Sequence, residues 1–259
     1  MDDYKNIFSM SGKVALVTGG TSGLGAAIAE ALLQSGVDVA VCGGHPEKAA
    51  FLQETADKCG SKFLALPCDV TSSASVEEMV DKIGSTLGAI DLLINSAGIN
   101  KLLPAEDYDD DSFDRVMDIN VKGTHIVTRT VGKKMMIPAK KGRIVNISSV
   151  KSFIGTKQNY AAYCASKGAV NMYTKQLACE WGKHGINCNA IAPTFVRTPI
   201  NTALLDDPTF YATLVDRIPL GRIGVGKDIA AATLFLCSEG AAFISGQILT
   251  VDGGLTAMQ

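Results

Sequence analysis

The sequence predicts one α/β domain over residues 1–259, a doubly wound parallel sheet of seven strands with helices on both faces. Seven short apolar runs rich in β-branched residues alternate with longer segments of helical period. The runs are apolar on both faces, which is typical of strands covered on both sides of a parallel sheet. No internal repeat or Pro/Gly-rich linker divides the 259 residues, a length that single α/β domains often reach.

The predicted strands are Lys13–Thr18, Asp38–Cys42, Phe63–Cys68, Ile90–Asn95, Arg143–Ser148, Asn187–Ala192 and Gln247–Val251. The predicted helices span residues 24–35, 46–59, 73–87, 111–136, 161–182 and 226–238. Residues 1–11 are interpreted as a short N-terminal arm. Residues 194–222 contain three prolines and form an insertion before the last helix and strand. Insertions after the carboxyl end of a strand lie over the ligand crevice of such folds, so this one is predicted to be a lid.

Composition argues against several classes of protein. The formal net charge is −2 and the isoelectric point is about 5.9, which does not favour a nucleic-acid surface. No apolar run is long enough for a membrane span, and no leader precedes the first strand. Seven scattered cysteines without a CxxC pair indicate reduced thiols and predict a cytoplasmic protein. The only histidines, His45, His125 and His184, form no metal-binding pattern, so no metal site is expected.

A glycine-rich turn connects the first predicted strand to the first predicted helix. Gly19, Gly23 and Gly25 permit a tight turn, close approach of the backbone to a pyrophosphate, and close packing of the helix on the strand. The amino end of the helix presents free N–H groups and a positive dipole to phosphate. The turn therefore predicts a dinucleotide site.

Tyr163 and Lys167 are four residues apart on a predicted helix, so both side chains lie on one face. The pKa of tyrosine is ordinarily about 10, and a nearby ammonium group favours the phenolate. The pair can then shuttle a proton near neutral pH. The preceding strand ends at Ser148 and Ser149, which places a serine and Tyr163 near one carbonyl oxygen. Tyr160 has no lysine four residues later, so it is not a second candidate.

Six motifs then follow one another in a recognisable order: TGGTSGLG at 18–25, INSAG at 94–98, Asn120 within MDINVKG, NISSV at 146–150, YCASK at 163–167 and VDGG at 251–254. Over residues 12–256 the chain resembles the short-chain dehydrogenase/reductase family, in its branch of roughly 250 residues. The resemblance implies an oxidoreductase dependent on NAD or NADP, which passes hydride between nicotinamide and a small hydroxyl or carbonyl substrate.

The resemblance also implies a catalytic set, formed by Asn120, Ser149, Tyr163 and Lys167. Ser149 would bind the reacting oxygen, and Tyr163 would donate or remove its proton. Lys167 would hold the nicotinamide ribose and lower the pKa of Tyr163, while Asn120 would hold a water that links Lys167 to solvent. The spacing from Ser149 to Tyr163 is one residue longer than the family's. Ser148 therefore remains an alternative, and Ser149 is preferred because it directly precedes Val150.

The cofactor residues are also implied by the resemblance. They are Gly19, Thr21, Ser22, Gly23, Leu24 and Gly25 in the glycine turn, Asp69 and Val70 at the adenine, Asn95, Ala97 and Gly98 after the fourth strand, Pro193 and Thr198 near the carboxamide, and Tyr163 with Lys167. Two motifs depart from the family's pattern. Ser96 stands where a second asparagine is usual, and Thr194 stands where a glycine is usual.

The choice between NAD and NADP depends on the end of the second strand. A carboxylate there accepts hydrogen bonds from a 2′-hydroxyl, whereas an arginine pairs with a 2′-phosphate. This chain has Cys42, Gly43, Gly44 and His45 and supplies neither group. The only basic candidates are His45 and Lys48, so the sequence favours NAD slightly.

Within the family, the segments APTFVRTP, IPLGRIG and GQILTVDGG most resemble dehydrogenases of sugar acids and polyols, such as gluconate 5-dehydrogenases. In that interpretation Lys101 and Arg197 contact the anionic substrate together with Ser149. Two alternatives stay open, a 3-oxoacyl carrier-protein reductase and a non-catalytic dinucleotide-binding regulator, although the presence of Tyr163 and Lys167 favours an enzyme. Relatives also imply a homotetramer, built here through residues 111–136, 161–182 and 247–251.

Overall fold

The computed structural model describes residues 6–198 and 202–258. Seven parallel strands form one sheet in the order β3-β2-β1-β4-β5-β6-β9, which confirms the predicted fold class. These strands are β1 (Val14–Thr18), β2 (Asp38–Gly43), β3 (Phe63–Pro67), β4 (Leu92–Asn95), β5 (Gly142–Ile147), β6 (Ile186–Pro193) and β9 (Ile248–Val251). The strand order reverses between β1 and β4, so a crevice opens there at the carboxyl ends of the strands.

The alternating side chains of the strands build one core on each face of the sheet. Ala15 and Val17 of β1 pack on one face, and Val14 and Leu16 pack on the other. The first face is covered by α1 (Gly23–Gln34), α2 (Phe51–Cys59) and α10 (Gly226–Cys237). The second is covered chiefly by α3 (Ser73–Thr86), α5 (Thr124–Val131) and α7 (Ala161–Trp181). Because both faces are covered, the strands read as continuous apolar runs in the sequence.

The predicted helix over 111–136 is found, but its hydrogen bonding is not uniform. It begins as α4 (Asp110–Met117) and widens into a π-helical turn at Asp118–Gly123 before α5. A second π-helical turn spans Gly132–Met136 and leads into the short α6 (Ile137–Ala139). Such bulges are frequent at functional sites, and the first of them contains the predicted catalytic Asn120.

The insertion predicted over 194–222 has secondary structure of its own. It contains β7 (Val196–Arg197), α8 (Thr202–Leu205) and α9 (Pro208–Val215). Strand β7 pairs with β8 (Gly224–Val225) in a small second sheet. The insertion also has a satellite core made of Leu205, Leu214, Ile218 and Ile223. Residues 199–201 of the predicted lid, with Pro199, lie outside the described residues, as do residues 1–5 of the predicted arm.

The described part of the arm joins the main core, because Met10 is buried against it. Across residues 6–198 and 202–258, no helix is both long enough and apolar enough to cross a membrane.

Candidate active site

Two adjoining cavities occupy the crevice at the carboxyl ends of β1 and β4. The larger, of about 730 Å³, lies against the glycine turn and is called the glycine cleft below. The smaller, of about 380 Å³, lies against Tyr163 and is called the tyrosine cavity. Both are lined by Leu24, Ser96, Gly98, Ile99 and Thr198. A ligand that fills the cleft therefore reaches the tyrosine cavity at one end.

The glycine turn has a backbone that only glycine suits. Gly19 and Gly23 have positive φ angles of 64° and 55°, in the left-handed region that side chains disfavour. A Cβ on Gly25 would lie 2.4 Å from the carbonyl oxygen of Gly19. Ser22 precedes α1 without a capping hydrogen bond from its side chain, so that side chain does not satisfy the N–H groups of the first turn. This cradle fits the pyrophosphate of a dinucleotide.

The far end of the glycine cleft is polar, and it contains Cys68, which sequence analysis did not predict as a site residue. Asp69 and Val70, which the resemblance places at the adenine, line it. The Asp69 carboxylate accepts hydrogen bonds from the Thr71 amide and hydroxyl at 2.9 and 2.7 Å, which lower its pKa. Cys68 also lines the cleft, and a hydrogen bond with the Cys42 thiol lowers the pKa of Cys68.

Two predicted cofactor residues do not line either cavity. The His45 side chain is exposed and its Nδ1 lies 3.1 Å from a Glu47 carboxylate oxygen. Asn95 is buried, and its Nδ2 donates to Thr128 Oγ1 at 2.9 Å and to Asn146 Oδ1 at 2.8 Å. Its Oδ1 is buried and has no hydrogen-bond partner within the part of the chain that the structure describes. Asn95 thus joins β4 to β5 and to α5 behind the cleft. The other predicted cofactor residues line one or both cavities.

Tyr163 and Lys167 lie one turn apart at the start of α7, and both line the tyrosine cavity. Lys167 Nζ lies 5.6 Å from the centre of the Tyr163 ring and donates to the Ile147 carbonyl at 2.7 Å. Burial disfavours the charged ammonium and lowers the pKa of Lys167 to about 8.

Ser149, rather than Ser148, faces the tyrosine. Desolvation by burial raises the pKa of Tyr163 to about 12, and the neighbouring Ser149 side chain opposes that rise by favouring the phenolate. Ser148 turns the other way, and its Oγ donates to Asn171 Oδ1 at 2.6 Å. The alternation of side chains along an extended segment explains why adjacent serines point to opposite sides.

Asn120 is buried beside the lysine, and its side-chain amide is fully used. Its Nδ2 donates to the Ile99 carbonyl at 2.9 Å and to Ser166 Oγ at 3.0 Å, and its Oδ1 accepts from the Ile99 amide at 2.8 Å. A Cβ on Gly98 would lie 3.2 Å from Asn120 Oδ1 and 3.5 Å from Lys167 Nζ. Asn120 therefore holds the chain around Gly98 close to the lysine.

The two cations predicted to contact the substrate do not line the cavities. Lys101 Nζ donates to Ser112 Oγ and lies 3.8 Å from an Asp109 carboxylate oxygen. Arg197 Nη1 lies 2.7 Å from an Asp206 carboxylate oxygen.

The tyrosine cavity is instead lined by polar residues that sequence reasoning missed, among them Lys151, Tyr160 and Thr194. Lys151 is only 9% exposed, and its Nζ lies 5.1 Å from the centre of the Tyr160 ring. The sequence could have pointed to Lys151 through its position, since it follows Ser149 by only two residues. Pro193, Thr198 and Thr194 form another wall of this cavity.

This crevice, with a glycine cradle at the switch point of a parallel sheet, defines a dinucleotide-binding protein of the Rossmann type. A family profile described as enoyl-(acyl carrier protein) reductase matches residues 19–256. The chain is 41% identical over 249 residues to a D-threitol dehydrogenase of Mycolicibacterium smegmatis, covering 96% of this chain and 95% of the relative. It is 37% identical over 253 residues to a gluconate 5-dehydrogenase of Gluconobacter oxydans, covering 98% of both chains.

Among solved structures, a gluconate 5-dehydrogenase from Burkholderia cenocepacia in complex with NADP and tartrate superimposes with a TM-score of 0.91 at 35% identity, covering 98% of this chain and 99% of that one. The chain belongs to the short-chain dehydrogenase/reductase family. The expectation of a nicotinamide-dependent oxidoreductase is confirmed. The preference for NAD gains no support, because three of the solved relatives contain NADP.

Proposed function

We propose that the protein interconverts a secondary hydroxyl and a carbonyl on a sugar acid or a polyol. The observation that carries this proposal is the convergence of Ser149, Tyr163 and Lys167 on one cavity, with Lys167 Nζ 5.6 Å from the centre of the Tyr163 ring, at the end of a cleft that fits a dinucleotide. The relatives with this chemistry support the substrate class, since they are named as dehydrogenases of threitol, gluconate and 2-dehydro-3-deoxy-D-gluconate.

The glycine cleft would hold the dinucleotide. The glycine turn with Gly19, Gly23 and Gly25 would bind the pyrophosphate, Asp69 and Val70 would face the adenine, and Pro193 with Thr198 would lie at the nicotinamide end. When bound, the nicotinamide ring supplies or accepts the hydride. His45 and Asn95 are not assigned direct contacts, because neither lines the cleft.

Ser149 and Tyr163 would together bind the reacting oxygen. With a pKa of about 12, Tyr163 is protonated at neutral pH and is ready to donate its proton to a carbonyl that is being reduced. In the direction of oxidation Tyr163 must first lose that proton, and Ser149 assists because its side chain favours the phenolate. Lys167 would hold the nicotinamide ribose and return the proton to Tyr163.

Asn120 would connect Lys167 to solvent by holding a water, as the resemblance implies. Its side-chain amide is already bonded to Ile99 and Ser166, and its carbonyl oxygen accepts one hydrogen bond from Thr124 Oγ1 at 2.8 Å, so the second lone pair of that carbonyl would take the role. The π-helical turn at Asp118–Gly123 supports this, since a π turn displaces a carbonyl from the regular α-helical ladder.

We extend the proposal to NADP. Strand β2 ends at Gly43 without a carboxylate that would repel a 2′-phosphate, and Gly43 and Gly44 line the cleft. His45, which follows them, lies outside the cleft, whose lining includes one arginine, Arg115. Kinetic constants measured with NAD and NADP test this choice, and a chain that uses NAD alone contradicts it.

The segment 194–222 is proposed as the lid of a single domain over residues 1–259. Thr194, Phe195, Val196 and Thr198 from its first part line the tyrosine cavity. A homotetramer in the cytoplasm is proposed from the resemblance and from the unpatterned cysteines of the sequence.

The test of the proposed chemistry is Tyr163→Phe, which keeps the ring and removes the proton. We expect kcat to fall by roughly 10²–10⁴, as general acid/base loss predicts, with cofactor affinity nearly intact. The assay follows nicotinamide absorbance with a panel of sugar acids and polyols and both cofactors. Tyr108→Phe is the matched control, because that hydroxyl donates to the Lys101 carbonyl outside both cavities.

Activity of Tyr163→Phe within a few-fold of the unmodified protein would remove Tyr163 from the mechanism. Binding of cofactor without turnover of any member of the panel would favour the non-catalytic regulator instead.

A further inference from the structure

Lys151 is a cation inside the tyrosine cavity that the mechanism above does not use. It belongs to the 3₁₀ turn Val150–Ser152, which directly follows Ser149. The turn is held in place because the Lys151 amide donates to Ser149 Oγ at 3.2 Å and the Ser152 amide donates to the Ser149 carbonyl at 3.0 Å. The backbone of Lys151 is therefore held close to Ser149, and its side chain lines the tyrosine cavity.

Within residues 6–198 and 202–258, no carboxylate forms an ion pair with Lys151. Its surroundings are instead unfavourable to a positive charge: burial and the nearby guanidinium of Arg217 both lower its pKa. A Cys164 thiolate would oppose these effects, but burial raises the pKa of that thiol and favours its neutral form. The Tyr160 ring, at 5.1 Å, compensates in part through a cation–π contact.

Three other cations considered above already have partners within the described chain. Lys167 Nζ donates to a backbone carbonyl, and Lys101 and Arg197 each face a carboxylate. A buried ammonium without an anion is unfavourable, and it becomes favourable when a ligand supplies the missing charge. Thr194 adds a second unused group to the same cavity, because its Oγ1 is buried and without a hydrogen-bond partner among the described residues.

We propose that Lys151 binds the carboxylate of the substrate in the tyrosine cavity, with Thr194 Oγ1 as a second donor, so that the site prefers sugar acids to neutral polyols. This inference rests on the proposed function and narrows its substrate class. A cavity of about 380 Å³ is near the lower end of the range for small-molecule sites, which suits a compact acid. Lys151 would act on specificity, whereas Ser149 and Tyr163 would act on the chemistry.

The experiment compares each acid with the alcohol of the same chain length. D-gluconate is paired with D-glucitol, and D-threonate with D-threitol, with D-glucitol 6-phosphate as a third anion. The variants are Lys151→Met, which keeps the length and removes the charge, and Lys151→Arg, which keeps the charge. Lys58→Met is the matched control, since Lys58 is 77% exposed and pairs with Glu54 on α2. Lys101→Met tests the cation that the sequence had favoured.

We expect Lys151→Met to lower kcat/KM for the acids by roughly 10- to 150-fold, the range for losing a charge-assisted hydrogen bond. The neutral alcohols should change by less than about 3-fold, and Lys151→Arg should recover most of the loss. Thermal unfolding and cofactor titration of each variant separate a folding defect from a loss of recognition. Equal losses on acids and alcohols, or an acid-specific loss in Lys101→Met alone, would overturn the proposal. So would a larger loss on the phosphate ester than on the acids.

A binding measurement distinguishes failure of this inference from failure of the proposed function. D-gluconate is titrated calorimetrically into the protein saturated with reduced cofactor. Loss of that binding in Lys151→Met supports the carboxylate contact even if no acid is turned over, in which case the proposed function alone falls. Turnover of alcohols with no binding or turnover of any acid overturns the inference and leaves the oxidoreductase intact.

Discussion

Replacing Gly25 by alanine tests the glycine turn with a single methyl group. The Cβ would lie 2.4 Å from the Gly19 carbonyl oxygen, whereas ordinary contacts of a Cβ begin near 3.4 Å. The start of α1 must therefore move away from β1 by about 1 Å, the difference between these two distances. The nearest atoms to that Cβ are backbone atoms of Gly19 and Gly20, which cannot rotate aside as a flexible side chain would.

That displacement determines the expected loss of cofactor affinity and of stability. An N–H group that binds phosphate at about 2.9 Å no longer forms a hydrogen bond when it retreats by about 1 Å. One lost hydrogen bond to a charged group corresponds to about 1.5–3 kcal/mol, or a rise of roughly 10- to 150-fold in the Kd of the cofactor. Overpacking also lowers the free energy of unfolding by about 1–3 kcal/mol. For a chain of this size each kcal/mol lowers Tm by about 2–4 °C.

Cofactor affinity is measured by titration of nicotinamide fluorescence, and stability by thermal unfolding of the same samples. Gly182→Ala is the control, because a Cβ there meets nothing within 4 Å and the residue has a helical φ of −55°. Gly25→Ala with an unchanged Kd would contradict the assignment of this turn to the pyrophosphate. If Tm falls while the Kd is unchanged, Gly25 serves the packing of α1 on β1 and not the binding of the cofactor.

Two further predictions concern protonation and assembly. Since burial lowers the pKa of Lys167 to about 8, its ammonium is present below that pH and is lost above it. Carbonyl reduction should therefore decline as the pH rises through about 8, and Lys167→Arg should move the decline upward; a flat profile between pH 7 and 10 would contradict this role. Met172 on α7, Leu249 on β9 and Phe243 are exposed apolar residues, so we expect a homotetramer. Light scattering should show its dissociation in Leu249→Asp, and a monomeric unmodified protein would refute it.

The sheet was predictable because a buried parallel strand leaves a strong pattern. Each of the seven predicted strands is found, with ends shifted by only a few residues, and the inner strands β2, β1, β4, β5 and β6 pack into a core on both faces. The π-helical turns were not predictable, because Asp118–Gly123 has the same helical periodicity as its neighbours and differs only in hydrogen bonding. The helices of 194–222 were missed for another reason, since its prolines suggested a loop and α9 begins at one of them, Pro208.

The choice between Ser148 and Ser149 depends on the alternation of side chains along an extended chain. Adjacent residues of an extended chain face opposite sides, so only one of Ser148 and Ser149 can face Tyr163. The structure gives that place to Ser149 and turns Ser148 toward Asn171. Proximity along the sequence could not decide between them, because the choice depends on which face of β5 α7 covers.

The cations of the site show why charge alone does not identify a binding residue. Lys101 and Arg197 were chosen by resemblance and by position, yet each has a carboxylate partner within the described chain. The acidic run that begins at Asp107 offers Lys101 an ion-pair partner within the chain, and the structure pairs Lys101 with Asp109 of that run. No acidic run in the sequence lies beside Lys151. In the structure Lys151 is buried in the tyrosine cavity, and its charged neighbour is the guanidinium of Arg217 instead of a carboxylate. A cation that the fold itself has neutralised adds little affinity for an acid, whereas one that the fold leaves unpaired gains from every carboxylate that enters.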